Sequence, residues 1–164
     1  MKITMNIEAF KQGLVELYQG EVLGEALFDQ MLPYFEEPDR RYKISVMLQL
    51  ETETKARLRP AMVLLGLDLS EQKAFRKMGL DMATGMKGLS WEETMVTIRD
   101  VVKPVVERYR EIASYAPPEH RDLAESMVIH EKSISDFAEL ELAGEEKKSV
   151  DAIVAQLHNR LSSP

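Results

Sequence analysis

The stretch IEAFKQGLVELYQGEVLGEALFDQMLPYFEEPDRRYKISVMLQLETETKARLRPAMVLLGL, residues 7–67, decides the fold class. In its first half Ile7, Phe10, Leu14, Leu17, Glu21, Gly24, Phe28 and Met31 recur in steps of three and four, the spacing of one helical face. A helix is therefore expected from Asn6 or Ile7 to Tyr34. The segment PYFEEPDR, residues 33–40, carries two prolines and no apolar period, so it reads as a short connection between antiparallel neighbours. A second helix from about Arg40 to Leu65 aligns Ile44, Leu48, Glu51, Lys55, Leu58, Met62 and Leu65, and stops at Leu65-Gly66-Leu67. Glu21, Glu51 and Lys55 are the polar interruptions in these two stripes.

Working outward, the pattern repeats. Residues 68–89 are less regular, and Gly79, Gly85 and Gly88 weaken any helix there, so a short, broken helix is expected. Ser90-Trp91-Glu92-Glu93 has the spacing of a capping box and opens a helix to about Ser114. Its apolar face is Trp91, Met95, Ile98, Val102, Val105, Tyr109 and Ile112, and Pro104 in its interior predicts a kink. After Ala116-Pro117-Pro118 another helix runs to Leu142 and Gly144, with Leu123, Met127, His130, Ile134, Phe137 and Glu141 on its stripe. A final amphipathic helix, Ser149 to Leu161, can lie across the others or meet a second copy, which makes a homodimer a candidate assembly. No segment reads as a strand. The 164 residues fit a single all-α domain, 1–164, with two helical hairpins, a short extra helix between them and the C-terminal helix.

Composition narrows the function classes. The net charge of -7, from 21 Lys plus Arg against 28 Asp plus Glu, argues against nucleic acid or an anionic membrane as partner. No stretch approaches the roughly 20 apolar residues of a membrane span, and the N-terminus lacks a secretory pattern, so the cytoplasm is the expected location. With no cysteine, any metal has to be held by carboxylate and imidazole.

The seam residues are the candidates for such chemistry. An unpaired buried carboxylate costs several kcal/mol, so Glu21 and Glu51 need partners. Counted from the connection near Glu37, Glu21 lies about 16 residues before it and Glu51 about 14 after it, a mismatch of roughly 3 Å at the helical rise. Around Pro117 the same count sets His130 opposite Pro104, with Glu107 about one turn away on the facing helix.

Three carboxylates and an imidazole spread over four long helices resemble the ferritin-like di-iron carboxylate proteins, in which two helices each give a glutamate and two each give a Glu-x-x-His motif. The resemblance implies a ferritin-like four-helix bundle. It also implies a metal site of Glu21, Glu51, Glu107 and His130 holding iron or manganese, and an oxidase or oxygenase acting with dioxygen on a small organic substrate. Tyr18 and Tyr109 would then support the site. The chain departs from the family pattern at Thr54, where the second-helix histidine is expected, and at Met127, where the fourth-helix glutamate is expected.

Neighbouring residues fill out the expectation. Glu25 lies one turn from Glu21 and is a further donor, while Glu125 and Glu131 are angled away from the His130 stripe. Lys55 supports a different outcome, a non-catalytic bundle in which it pairs with Glu21 in a structural Glu, Lys and His network and the protein works by association or ligand binding. His120 and His158 read as solvated. The cluster Glu139, Glu141, Glu145 and Glu146 followed by Lys147 and Lys148 reads as a solvated helix end.

Overall fold

The computed structural model describes residues 6–164. Among them there is no strand, and six α-helices follow in order: α1 Ile7–Met31, α2 Pro38–Leu64, α3 Lys73–Met86, α4 Trp91–Ser114, α5 Arg121–Leu142 and α6 Asp151–Val154. Local chemistry sets most boundaries. The Asn6 side chain caps α1 by accepting from the Ala9 N–H at 3.0 Å. Ser90 and Glu93 form the expected reciprocal capping box on α4, which continues through Pro104. Both α2 and α5 are followed by a glycine at positive φ, Gly66 at 68° and Gly144 at 78°.

The helices form a bundle. Residue contacts fix their directions: Thr52 meets Glu25, Arg108 meets Glu16, Thr54 meets His130 and Lys43 meets Glu141. Thus α1, α3 and α5 run one way, and α2 and α4 run the other. The pairs α1 with α2 and α4 with α5 are the two hairpins expected from the short proline-bearing connections. Helix α3 departs from expectation, because it is one unbroken helix packed along α1. Gly79 lies so close to the Leu23 carbonyl oxygen that a Cβ there would collide with it, so a residue poor in helix propensity is what permits the packing.

The C-terminal helix is also shorter than expected. The Glu53 carboxylate accepts the backbone N–H groups of His158 at 2.6 Å and Asn159 at 2.8 Å, and so engages donors that a longer helix would use. Val150, Ile153 and Leu157 turn onto the bundle and are buried. The supposed solvated end of α5 is corrected at Glu141, whose side chain is 1 % exposed and receives the Lys43 ammonium at 2.7 Å and the Trp91 indole N–H at 2.7 Å. The hydroxyl of Ser149 donates to the same carboxylate.

Two apolar clusters fill the interior. One gathers Leu27, Phe28, Leu50, Ile98, Ile134 and Phe137, and the other gathers Phe10, Leu17, Val22, Leu58, Ile112 and Met127. Glu21 and Val22 on α1, Glu51 and Thr54 on α2, and His130 and Glu131 on α5 lie at the junction. A buried polar layer therefore separates two greasy halves.

Candidate functional site

Three helices deliver the polar layer, each from the middle of an apolar stripe. Glu21, Glu51 and His130 are 0 %, 4 % and 0 % exposed, and one potential ligand atom from each lies within 4.8 Å of the others. The His130 Nε2 atom is 3.3 Å from Glu21 Oε2, 3.7 Å from Glu51 Oε1 and 3.5 Å from Glu131 Oε2. The count from the sequence levels Glu21 with Glu51 and sets His130 opposite Pro104; the structure brings His130 to the two glutamates and places Tyr109 at that level on α4.

Space for this layer is made by glycine. A Cβ at Gly24, one turn beyond Glu21 on α1, would collide with the Glu51 carboxylate. A Cβ at Gly20 would stand 2.7 Å from the Tyr109 hydroxyl. That hydroxyl, projecting from α4, is 3.5 Å from Glu21 Oε1. Thr54, at the position where the family pattern has a histidine, instead places its hydroxyl 3.1 Å from His130 Nδ1. The contact fixes the ring so that Nε2 faces the carboxylates.

Among the described residues no lysine or arginine pairs with a carboxylate of the layer, and Arg57 acts on it by its charge alone. Burial, the largest effect, drives the His130 imidazole down to about 3, with Arg57 adding to it, so the ring is neutral at pH 7. Burial raises Glu21 to about 8, with Glu131 adding to it against the lowering contacts of Glu51 and Tyr109. Glu51 is pushed well above the usual carboxylate range by burial and then by Glu21, and Glu131 by burial and then by Glu51. The short His130 to carboxylate distances are therefore not ion pairs. Among the described residues, Glu21 Oε2 and His130 Nε2 are buried and have no hydrogen-bond partner.

Several expectations are corrected here. Glu107 does not join the layer, because its side chain is 68 % exposed and pairs with Arg110 one turn along its own helix. The α4 residue that faces Glu21 is Tyr109. Glu131, expected to point away, reaches His130. Lys55 does not pair with Glu21, since its ammonium is bound by Glu25 at 3.0 Å and by Glu71 at 2.6 Å. That engagement also holds Glu25 outside the layer. Tyr18 and Met127 are plain core, and Glu125 is exposed. His158 is exposed as expected, while His120 is half-buried and stacks on Phe10 at 5.7 Å.

The donor set fits a divalent first-row metal: two carboxylates and one neutral imidazole converge, Glu131 lies beside the imidazole, and two buried polar atoms lack partners. Comparison with known proteins finds no matching family model, no similar curated protein and no similar solved structure.

Proposed function

We propose that this chain is a ferritin-like metalloprotein, an iron- or manganese-dependent oxidase or oxygenase acting on a small organic substrate. The observation that carries the reading is the partnerless His130 Nε2, 3.3 Å from the partnerless Glu21 Oε2, with Glu51 and Glu131 beside them. Keeping a buried carboxyl group protonated at neutral pH costs the fold about 3 kcal/mol for a group raised as Glu21 is, and a cation that binds the ionised form offsets it. Glu21, Glu51 and His130 would hold the metal, with Glu131 beside them, and a bound iron or manganese ion would supply the one-electron redox chemistry that dioxygen activation requires.

The chain's own groups do the rest. Burial keeps bulk water from the ligand atoms, and the Thr54 hydroxyl orients the imidazole. Burial raises the ionisation of the carboxyl groups, so any of them that carries a proton releases it on becoming a ligand. Tyr109 keeps its phenolic proton, since burial and the surrounding carboxylates push its ionisation well up, and it can donate to Glu21. The competing reading, a structural Glu, Lys and His network, needs a lysine in the layer, and Lys55 is engaged by Glu25 and Glu71 instead.

Metal analysis of protein from iron- and manganese-supplemented cells tests this. Wild type and Glu107→Ala should carry near-stoichiometric metal, and Glu51→Ala and His130→Ala should lose most of it. Trace metal in wild type, unaltered by either substitution, would sink the proposal.

A further inference from the structure

Beside the polar layer, the packing of α1, α2, α3, α4 and α5 leaves a cavity of about 130 Å³. Its walls are apolar, including Leu27, Phe28, Val102 and Ile134. Its only polar side chains are Glu51, Glu131 and Tyr109, all belonging to the layer. Val101, 39 % exposed, and the half-buried Met82 also line it and mark its solvent side. Gly20 and Gly24 line it too, and a side chain at either would push against the Tyr109 hydroxyl or the Glu51 carboxylate.

This lining selects by charge and size. An anion would meet three acidic or phenolic groups and no base. A cation would compete with the metal for the same carboxylates. A cavity of about 150 Å³ lined by Leu, Ile and Phe stays dry and takes up benzene, so the space here suits about six heavy atoms. We propose that the cavity binds a small uncharged apolar molecule, about the size of one benzene ring, and holds it against the layer of Glu51, Glu131 and Tyr109. The inference rests on the metal reading for its chemical purpose, but binding can be measured without metal.

The test titrates benzene, and benzoate as the charged control, into the full chain with and without manganese while the Met82 methyl NMR signal is followed. Benzene should shift that signal saturably and benzoate should not. Val101→Trp at the solvent side and Val102→Phe in the wall should each weaken benzene binding by about tenfold or more. Val101 is exposed, so the first variant should fold even if the second does not. Absence of a saturable benzene shift, equal binding of benzoate, or unchanged binding in a folded Val101→Trp protein would overturn the inference. Metal content measured on the same samples keeps the two proposals apart: metal without benzene binding defeats the cavity alone, and benzene binding without metal defeats the metal reading alone.

Discussion

Single atoms explain why the polar layer is unusual. A carboxyl group whose ionisation is raised in the folded state favours folding below its unfolded value and loses that contribution as pH rises through the folded value. For Glu21 the window runs from 4.5 to about 8, and Glu51 and Glu131 shift in the same direction. His130 acts on the acid side, where its neutral burial weakens the fold as pH falls from 6.5 through about 3. Between pH 6.5 and 8 only the carboxyl groups of the layer contribute a slope, and stability falls as pH rises. Urea midpoints of metal-free protein should therefore drop across that interval, and Glu21→Gln should flatten the drop. A wild-type midpoint that holds steady or climbs would contradict the assigned burial. Saturating manganese should remove the dependence, because carboxylates that have released their protons to become ligands hold no more protons than those of the unfolded chain.

At the scale of the helix, glycine has opposite meanings at two positions. Gly24 on α1 faces Glu51, and a methyl group there displaces a ligand-bearing side chain from a packed layer. Gly85 on α3 has open space around its would-be Cβ. Gly85→Ala should stabilise the protein by about 0.5 to 1 kcal/mol through helix propensity alone. Gly24→Ala should cost about 1 to 3 kcal/mol as an overpacked site and should lower metal content as well. Thermal melts together with metal analysis check both. A neutral Gly24→Ala with full metal content would show that Glu51 can retreat without consequence.

Across the whole molecule, two buried polar systems occupy different levels of the bundle. Lys43 and Glu51 are separated by about 12 Å along α2 at the helical rise. The Lys43, Glu141, Trp91 and Ser149 group joins α2, α4, α5 and the C-terminal segment, and its charges are matched. The layer at Glu21 has no such match. Lys43→Met leaves the Glu141 carboxylate buried without its cation and should cost about 3 to 5 kcal/mol in urea unfolding. Metal content should stay at the wild-type level, since the substitution is remote from the layer. A loss below about 1 kcal/mol would mean that the Trp91 N–H and the Ser149 hydroxyl suffice to hold the buried carboxylate.

Helix number, helix direction and the three polar positions in the stripes were legible in the chain itself, because a period of 3.6 residues and a short connection are local properties. Counting rise from the first turn was enough to level Glu21 with Glu51, whereas His130 joins them through the packing of the two hairpins. What lay beyond counting was decided by packing. Glu131 is about 100° away from His130 around α5, yet its long flexible side chain reaches the layer. Lys55 finds Glu71 only because α3 packs beside α1 through Gly79. Tyr109 faces Glu21 from the apolar stripe already visible in the sequence of α4, while Glu107, off that stripe, meets solvent, and which residue of the stripe reaches the layer depends on how α4 packs against α1. The cavity beside the layer belongs to no single segment, being the space left when five helices meet around two glycines.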